Sequence, residues 1–232
     1  MELPVSIDLK MIRSLFYKEW LKTKWVSIVI VSIGILILVK IVLTTSYYLS
    51  HYSPEVYWYN IIIRKTVFFS LFKYFPVYSA LVFGLFQFLP EIINKRLKLS
   101  LHLPLLENNI LLNMIIFGTL LLLLIDLILA VSLSIITVHF FPVDLMYSVL
   151  LTILTWFLAG KIVYWVLSIV SVEPNWVKRI LISAIGYGMA AMLFESHEYE
   201  LYKESIIYFL LIGMFFSLGI IYTGNRFKKG DS

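Results

Sequence analysis

No cysteine occurs in this chain. That excludes disulfides, thiolate metal sites and cysteine nucleophiles, though it does not decide the compartment. Charge is also scarce: 14% of residues are Asp, Glu, Lys or Arg, against about 25% in soluble domains. There is no G-x-x-x-x-G-K-[ST] phosphate loop, no H-E-x-x-H helix and no G-x-S-x-G elbow. The ten glycines are scattered through apolar stretches, and none forms a phosphate cradle. The sequence therefore offers no catalytic residue, no metal ligand and no cofactor of its own, and the expectation is a chain that is not an enzyme. His51, His102 and His139 have no carboxylate at useful spacing. His197 sits near Glu195, Glu198 and Glu200, but one histidine in an acidic loop describes a solvated surface better than a metal site.

What is abundant is apolar surface. The hydrophobic fraction is 61%, and the mean hydropathy is +0.92. A water-soluble fold of 232 residues cannot hide that much, so lipid must cover the remainder. The fold class expected is all-α: a single polytopic membrane domain over 1–232. A span needs about 20 mostly apolar residues. Six segments qualify: Trp25–Leu49, Thr66–Pro90, Ile110–Thr137, Leu145–Val170, Ile180–Phe194 and Ser205–Thr223. The fifth is short and rich in small residues, which suits a tilted or broken helix. Its Ala184, Gly186, Gly188 and Ala190 form overlapping small-xxx-small pairs suited to close helix approach. Glu2, Asp8 and Lys10 precede any apolar run, so the start does not resemble a cleaved signal peptide.

Lys and Arg fall unevenly. One set of ends carries Lys10, Arg13, Lys18, Lys22 and Lys24, then Lys95, Arg96 and Lys98, then Lys178 and Arg179, then Arg226, Lys228 and Lys229. The opposite ends carry Arg64, Lys65 and Lys203. The positive-inside rule then places both termini in the cytoplasm of a multi-pass protein of the cytoplasmic (inner) membrane. The net charge of +5 reports this orientation, and no nucleic-acid partner is expected. The outer segments are Ser50–Lys65, His139–Asp144 and Glu195–Glu204. The first holds Tyr52, Tyr57, Trp58 and Tyr59, rings that suit an interface.

Two cytoplasmic segments carry the functional expectation. In Ile7–Leu21, the residues Leu9, Ile12, Phe16 and Trp20 share one helical face, and Lys10, Arg13, Lys18 and Lys22 the other. That pattern describes an amphipathic helix lying in the headgroup layer, with its cations on anionic lipid. A basic flank that only sets topology is the plainer alternative. The second is Glu91–Leu105, in which leucines alternate with Lys98, Ser100, His102 and Pro104. As a short helix it places Leu97 and Leu101 on one face, and Pro104 ends it. It suits docking into a cleft of a cytosolic protein, or else a leucine-rich solvated loop.

An amphipathic N-terminal helix, six spans and a loop of this kind after the second span resemble the permease subunits of ABC-2 type transporters. In that family the loop reads as Glu, then Gly-Thr-Leu, then a leucine run closed by Leu-Pro and a small apolar residue. Here Glu91 opens it, Leu97 fills the leucine slot, and Leu103-Pro104-Leu105 closes it. Lys95-Arg96 stands in place of Gly-Thr, and Asn94 in place of a second acidic residue. The resemblance implies that a separate cytosolic ATP-binding subunit supplies ATP and Mg chemistry. Its contacts would be Glu91, Lys95, Arg96, Leu97, Leu101, Leu103 and Pro104, the coupling helix, and Ile7–Leu21 would be the elbow helix. It also implies a homodimer or heterodimer of permeases, and substrate export. A non-transporting membrane anchor or assembly protein that recruits a cytosolic partner is the alternative.

Lys40, Lys73, Asp126 and Lys161 fall within the expected spans. Ionisable groups at that depth are costly unless paired or wet, and so are functional candidates. A Lys40–Asp126 or Lys73–Asp126 pair is expected, with both lysines snorkelling outward as the alternative, and Lys161 snorkelling inward.

Overall fold

The computed structural model of the chain describes residues 9–51, 53–93, 107–194, 199–200 and 202–229. Among these residues seven α-helices follow one another: α1 (Leu9–His51), α2 (Pro54–Ile62), α3 (Phe75–Ile93), α4 (Glu107–Phe140), α5 (Asp144–Val172), α6 (Trp176–Phe194) and α7 (Ile206–Lys229). There is no strand among the described residues. Helices suit continuous apolar runs of this length in lipid, because they satisfy every backbone group within the segment. Among the described residues, five helices are long and apolar enough to cross a membrane, and α7 packs beside them against α4 and α5. Outward-facing residues such as Leu36, Leu43, Ile135 and Phe215 are exposed and apolar. The chain is an all-α polytopic membrane protein.

α5 is the axis of the bundle. It touches α3, α4, α6 and α7, and its Trp156, Tyr164 and Ile153 are fully buried. Two glycines let neighbours approach it. Gly160 lies against the Pro76 carbonyl of α3, and Gly186 of α6 lies against Val166. Gly186 and Ala190 thus serve packing inside this chain, whereas Ala184 is exposed and Gly188 faces open space. α6 is an unbroken helix from Trp176, capped by Asn175, whose Oδ1 accepts from the backbone N–H groups of Val177 and Lys178 at 2.9 and 3.2 Å.

Two expectations need correction. The elbow helix and the first span are one element, because α1 runs through 43 residues. At 1.5 Å per residue that is about 64 Å, twice the thickness of a hydrocarbon core. Sharp kinks need Pro, Gly-Ser pairs, π-bulges or an inserted group, and α1 holds no proline and no glycine before Gly34. The second span, in turn, does not begin as a helix at Thr66. The backbone from 64 to 69 is irregular, Lys65 takes a positive φ of 54°, and a 3-10 turn covers Ser70–Phe72 before α3 starts. Pro76 explains the late start. At the second position of α3 its missing N–H falls in the first turn, where no intrahelical partner is needed, whereas deeper in a helix it would break a bond. Lys73 therefore lies in the turn ahead of α3, its ammonium 5.9 Å from the Tyr74 ring centre.

Candidate functional site

The end of the bundle where α1 begins and α3 ends holds a buried polar network. On α3, Gln87 and Glu91 are one turn apart, share a face, and are both buried. Glu19 and Lys22 of α1 face them. Glu91 Oε1 accepts from Lys22 Nζ at 3.2 Å and lies 3.3 Å from Lys18 Nζ. Lys22 also donates to Glu19 Oε1 at 2.9 Å. Glu19 Oε2 accepts from Gln87 Nε2 at 3.0 Å. The same Gln87 nitrogen donates to the Met114 carbonyl of α4 at 2.9 Å, and Gln87 Oε1 accepts from the Tyr164 hydroxyl of α5 at 2.7 Å. Four helices are thereby joined through one glutamine. Two carboxylates and two ammonium groups meet, so the site is neutral in sum, which is the condition for burying charge. Gly118 of α4 makes the space: a Cβ there would collide with Tyr164 and with Gln87 Oε1. Glu91 Oε2 is buried with no hydrogen-bond partner among the described residues.

This arrangement revises several expected roles. Glu91 is turned inward, 2% exposed and held by lysines of its own chain. Lys22, and Lys18 beside it, face Glu91 rather than reaching only for lipid. Phe16 packs edge-on against Phe117 of α4, with ring centres 5.5 Å apart, so it faces protein. Trp20 remains exposed. Leu9 and Ile12 lie at the start of α1. Lys95, Arg96, Leu97, Leu101, Leu103 and Pro104 lie outside the described residues, as do Glu195, His197 and Glu198. Sequence reading missed Glu19, Gln87, Gly118 and Tyr164. The available signal was Gln87 with Glu91, two polar residues one turn apart in an apolar helix.

The second polar feature is an ion pair between α4 and α5. Asp126 is bonded to Lys161, and not to Lys40 or Lys73. Hairpin register explains it. α4 and α5 are antiparallel neighbours joined at 141–143. Asp126 and Lys161 stand about 21 and 26 Å from that turn at 1.5 Å per residue, a difference a lysine side chain spans. Lys40 is exposed on α1.

At the opposite end, Tyr57 of α2 stacks on Tyr48 at 5.4 Å, in keeping with the aromatic character read for that segment. Two described residues of the segment after α6 pack against the bundle. Tyr199 is buried and donates to the Thr66 carbonyl at 3.1 Å, and Glu200 accepts from Ser148 of α5. Burial pushes the Tyr199 phenol well above the usual range, and that of Tyr57 upward as well. No family model, curated protein or solved structure matches this chain.

Proposed function

We propose that this chain is the permease subunit of an ABC-2 type transporter, coupling ATP hydrolysis by a separate subunit to substrate export. The supporting observation is the placement of the polar network. Glu91 and Gln87 occupy the last two turns of α3, the helix that leads into 94–106, and they bond to α1, α4 and α5. α4 is also the helix that leaves that segment. A push delivered to Leu97, Leu101, Leu103 and Pro104 by a nucleotide-binding partner would thus reach four helices as one body. In this reading Lys95 and Arg96 supply charge at the partner surface, and Glu91 anchors the segment from inside. ATP and Mg belong to the partner. A second copy or paralogue completes the assembly, and the basic ends, with both termini, face the cytoplasm.

A pull-down of the tagged chain in mild detergent, followed by an ATPase assay, tests this. The expected result is co-purification of an ATP-binding subunit, abolished by Leu97→Glu/Leu101→Glu while the chain stays monodisperse. If no ATPase accompanies the folded chain, the transport reading falls and the anchor reading replaces it.

A further inference from the structure

The position of the bilayer along α1 can be read from its aromatic residues. Trp25 is exposed near one end of the apolar stretch, and Tyr47 and Tyr48 near the other. Trp25 and Tyr47 are about 33 Å apart at 1.5 Å per residue, close to a hydrocarbon core of about 30 Å. Between them Ile28, Ile33, Leu36 and Leu43 face outward. Amphipathic rings collect at both edges of such a core. The residues just ahead of Trp25 therefore meet the headgroup layer, at the end of the bundle that holds the polar network. Charge at this end is sorted by burial. Its described acidic side chains, Glu19, Glu91 and Glu173, are all buried. Glu19 is the one acidic residue of α1. Lys22 is committed to Glu19 and Glu91. The described cations that keep outward surface are Arg13, Lys18 and Lys24 of α1, with Lys178 and Arg179 of α6. α6 begins at this same end, because α4 starts and α5 finishes there.

Beside these cations stand indoles. Of the exposed tryptophans, Trp20, Trp25 and Trp176 lie at this end and Trp58 at the other. The Lys24 ammonium is 5.7 Å from the Trp25 ring centre, and the Arg179 guanidinium 5.0 Å from that of Trp176. Trp20 and Lys24 are one turn apart on α1. Outward cations and indoles, with the described carboxylates turned inward, complement an anionic headgroup layer. A soluble polyanion would call for the cations but not for the tryptophans, whose apolar bodies and N–H edges match the boundary between headgroup and acyl chain. We infer that this end of the bundle binds anionic phospholipid, at Lys24 with Trp20 and Trp25, and at Lys178 and Arg179 with Trp176. The cations donate to the lipid phosphate, and the acyl chain lies on the apolar face beyond the indoles. These are not the residues that the periodicity of Ile7–Leu21 assigned to lipid. Phe16 and Lys22 of that set face protein, and Lys24 and the first turn of α6 stand in their place. Such binding needs no ATPase partner, so the two proposals can fail separately.

The test uses the full chain carrying Trp58→Phe, reconstituted in dioleoylphosphatidylcholine vesicles, so that the exposed indoles described are those of this end. Dibrominated phosphatidylglycerol or dibrominated phosphatidylcholine is added at equal mole fraction, and tryptophan quenching gives their relative affinity. Phosphatidylglycerol should be preferred about fivefold, the factor for one Lys or Arg at an anionic surface. Raising sodium chloride from about 0.1 M to about 1 M cuts the screening length from about 10 Å to about 3 Å and should bring the ratio toward one. Lys24→Gln/Lys178→Gln should lower the ratio at least about twofold, since each loses such a contact. Arg64→Gln, at the opposite end, should leave it unchanged. Equal quenching by the two lipids would overturn the inference and leave this face to a soluble acidic partner. A preference that survives both high salt and the folded double variant would overturn it too. So would loss of the preference to excess inorganic phosphate at constant ionic strength, which would make the ligand a soluble anion. Should the double variant not fold, the native ratio and its salt dependence decide.

Discussion

The same small change, glycine to alanine, is expected to act in opposite directions at two helical positions. At Gly118 the added methyl meets Gln87 Oε1 at 2.7 Å and lies closer still to the Tyr164 ring. Tyr164 is fully buried and has no room to swing away. Overpacking costs about 1–3 kcal/mol. Breaking the Tyr164 bond to Gln87 in a dry site adds about 1–3 kcal/mol. The better helix propensity of alanine returns about 0.5–1 kcal/mol. The net loss is about 1–5 kcal/mol, a fall in Tm of roughly 2–20 °C for a chain of this size. At Gly188 nothing lies within 4 Å, so the propensity gain stands alone. Gly188→Ala should raise Tm by about 1–4 °C. Tryptophan fluorescence of purified protein in one detergent, at one scan rate, reads both. Gly118→Ala at native stability or above would refute the packing of Tyr164 and Gln87 against α4, and with it the four-helix network.

Two further outcomes follow from the polar contacts. Glu91→Gln keeps the shape but removes the charge that Lys18 and Lys22 face, and should lower stability by about 1–3 kcal/mol. Lys18→Met should cost under about 1 kcal/mol, since that lysine is half-exposed and Lys22 remains. Equal losses in the two variants, measured by thermal unfolding, would show that the Glu91 carboxylate is not the centre of the network. Tyr199 gives a pH signature. Its phenol is held neutral in the folded chain, so its contribution is present below about pH 10 and is lost as pH rises above the ordinary tyrosine value. Tyr199→Phe should flatten that alkaline loss in a Tm-against-pH series, and an unchanged profile would remove Tyr199 as its source.

Composition and hydropathy by themselves point to an all-α membrane chain, because its apolar runs are continuous and about 20 residues long, where barrel strands would be short and alternating. The third, fourth and fifth spans could be placed within a few residues for the same reason, since lipid thickness sets their length. The late start of α3 was missed, because hydropathy does not register the irregular backbone and 3-10 turn that precede it. Partners were harder to read. Depth along isolated spans suggested Lys40 or Lys73 for Asp126, yet the short turn at 141–143 sets the register that delivers Lys161. Glu91 looked like a surface residue because the residues after it resemble a docking segment. Only packing revealed that its carboxylate turns inward toward two lysines one helical turn apart. The amphipathic pattern of Ile7–Leu21 was equally ambiguous, since a helix facing protein and a helix facing headgroups share one periodicity. Sequence sets which residues share a face. Which surface that face meets depends on contacts between helices far apart in the chain, and those the tertiary structure decided.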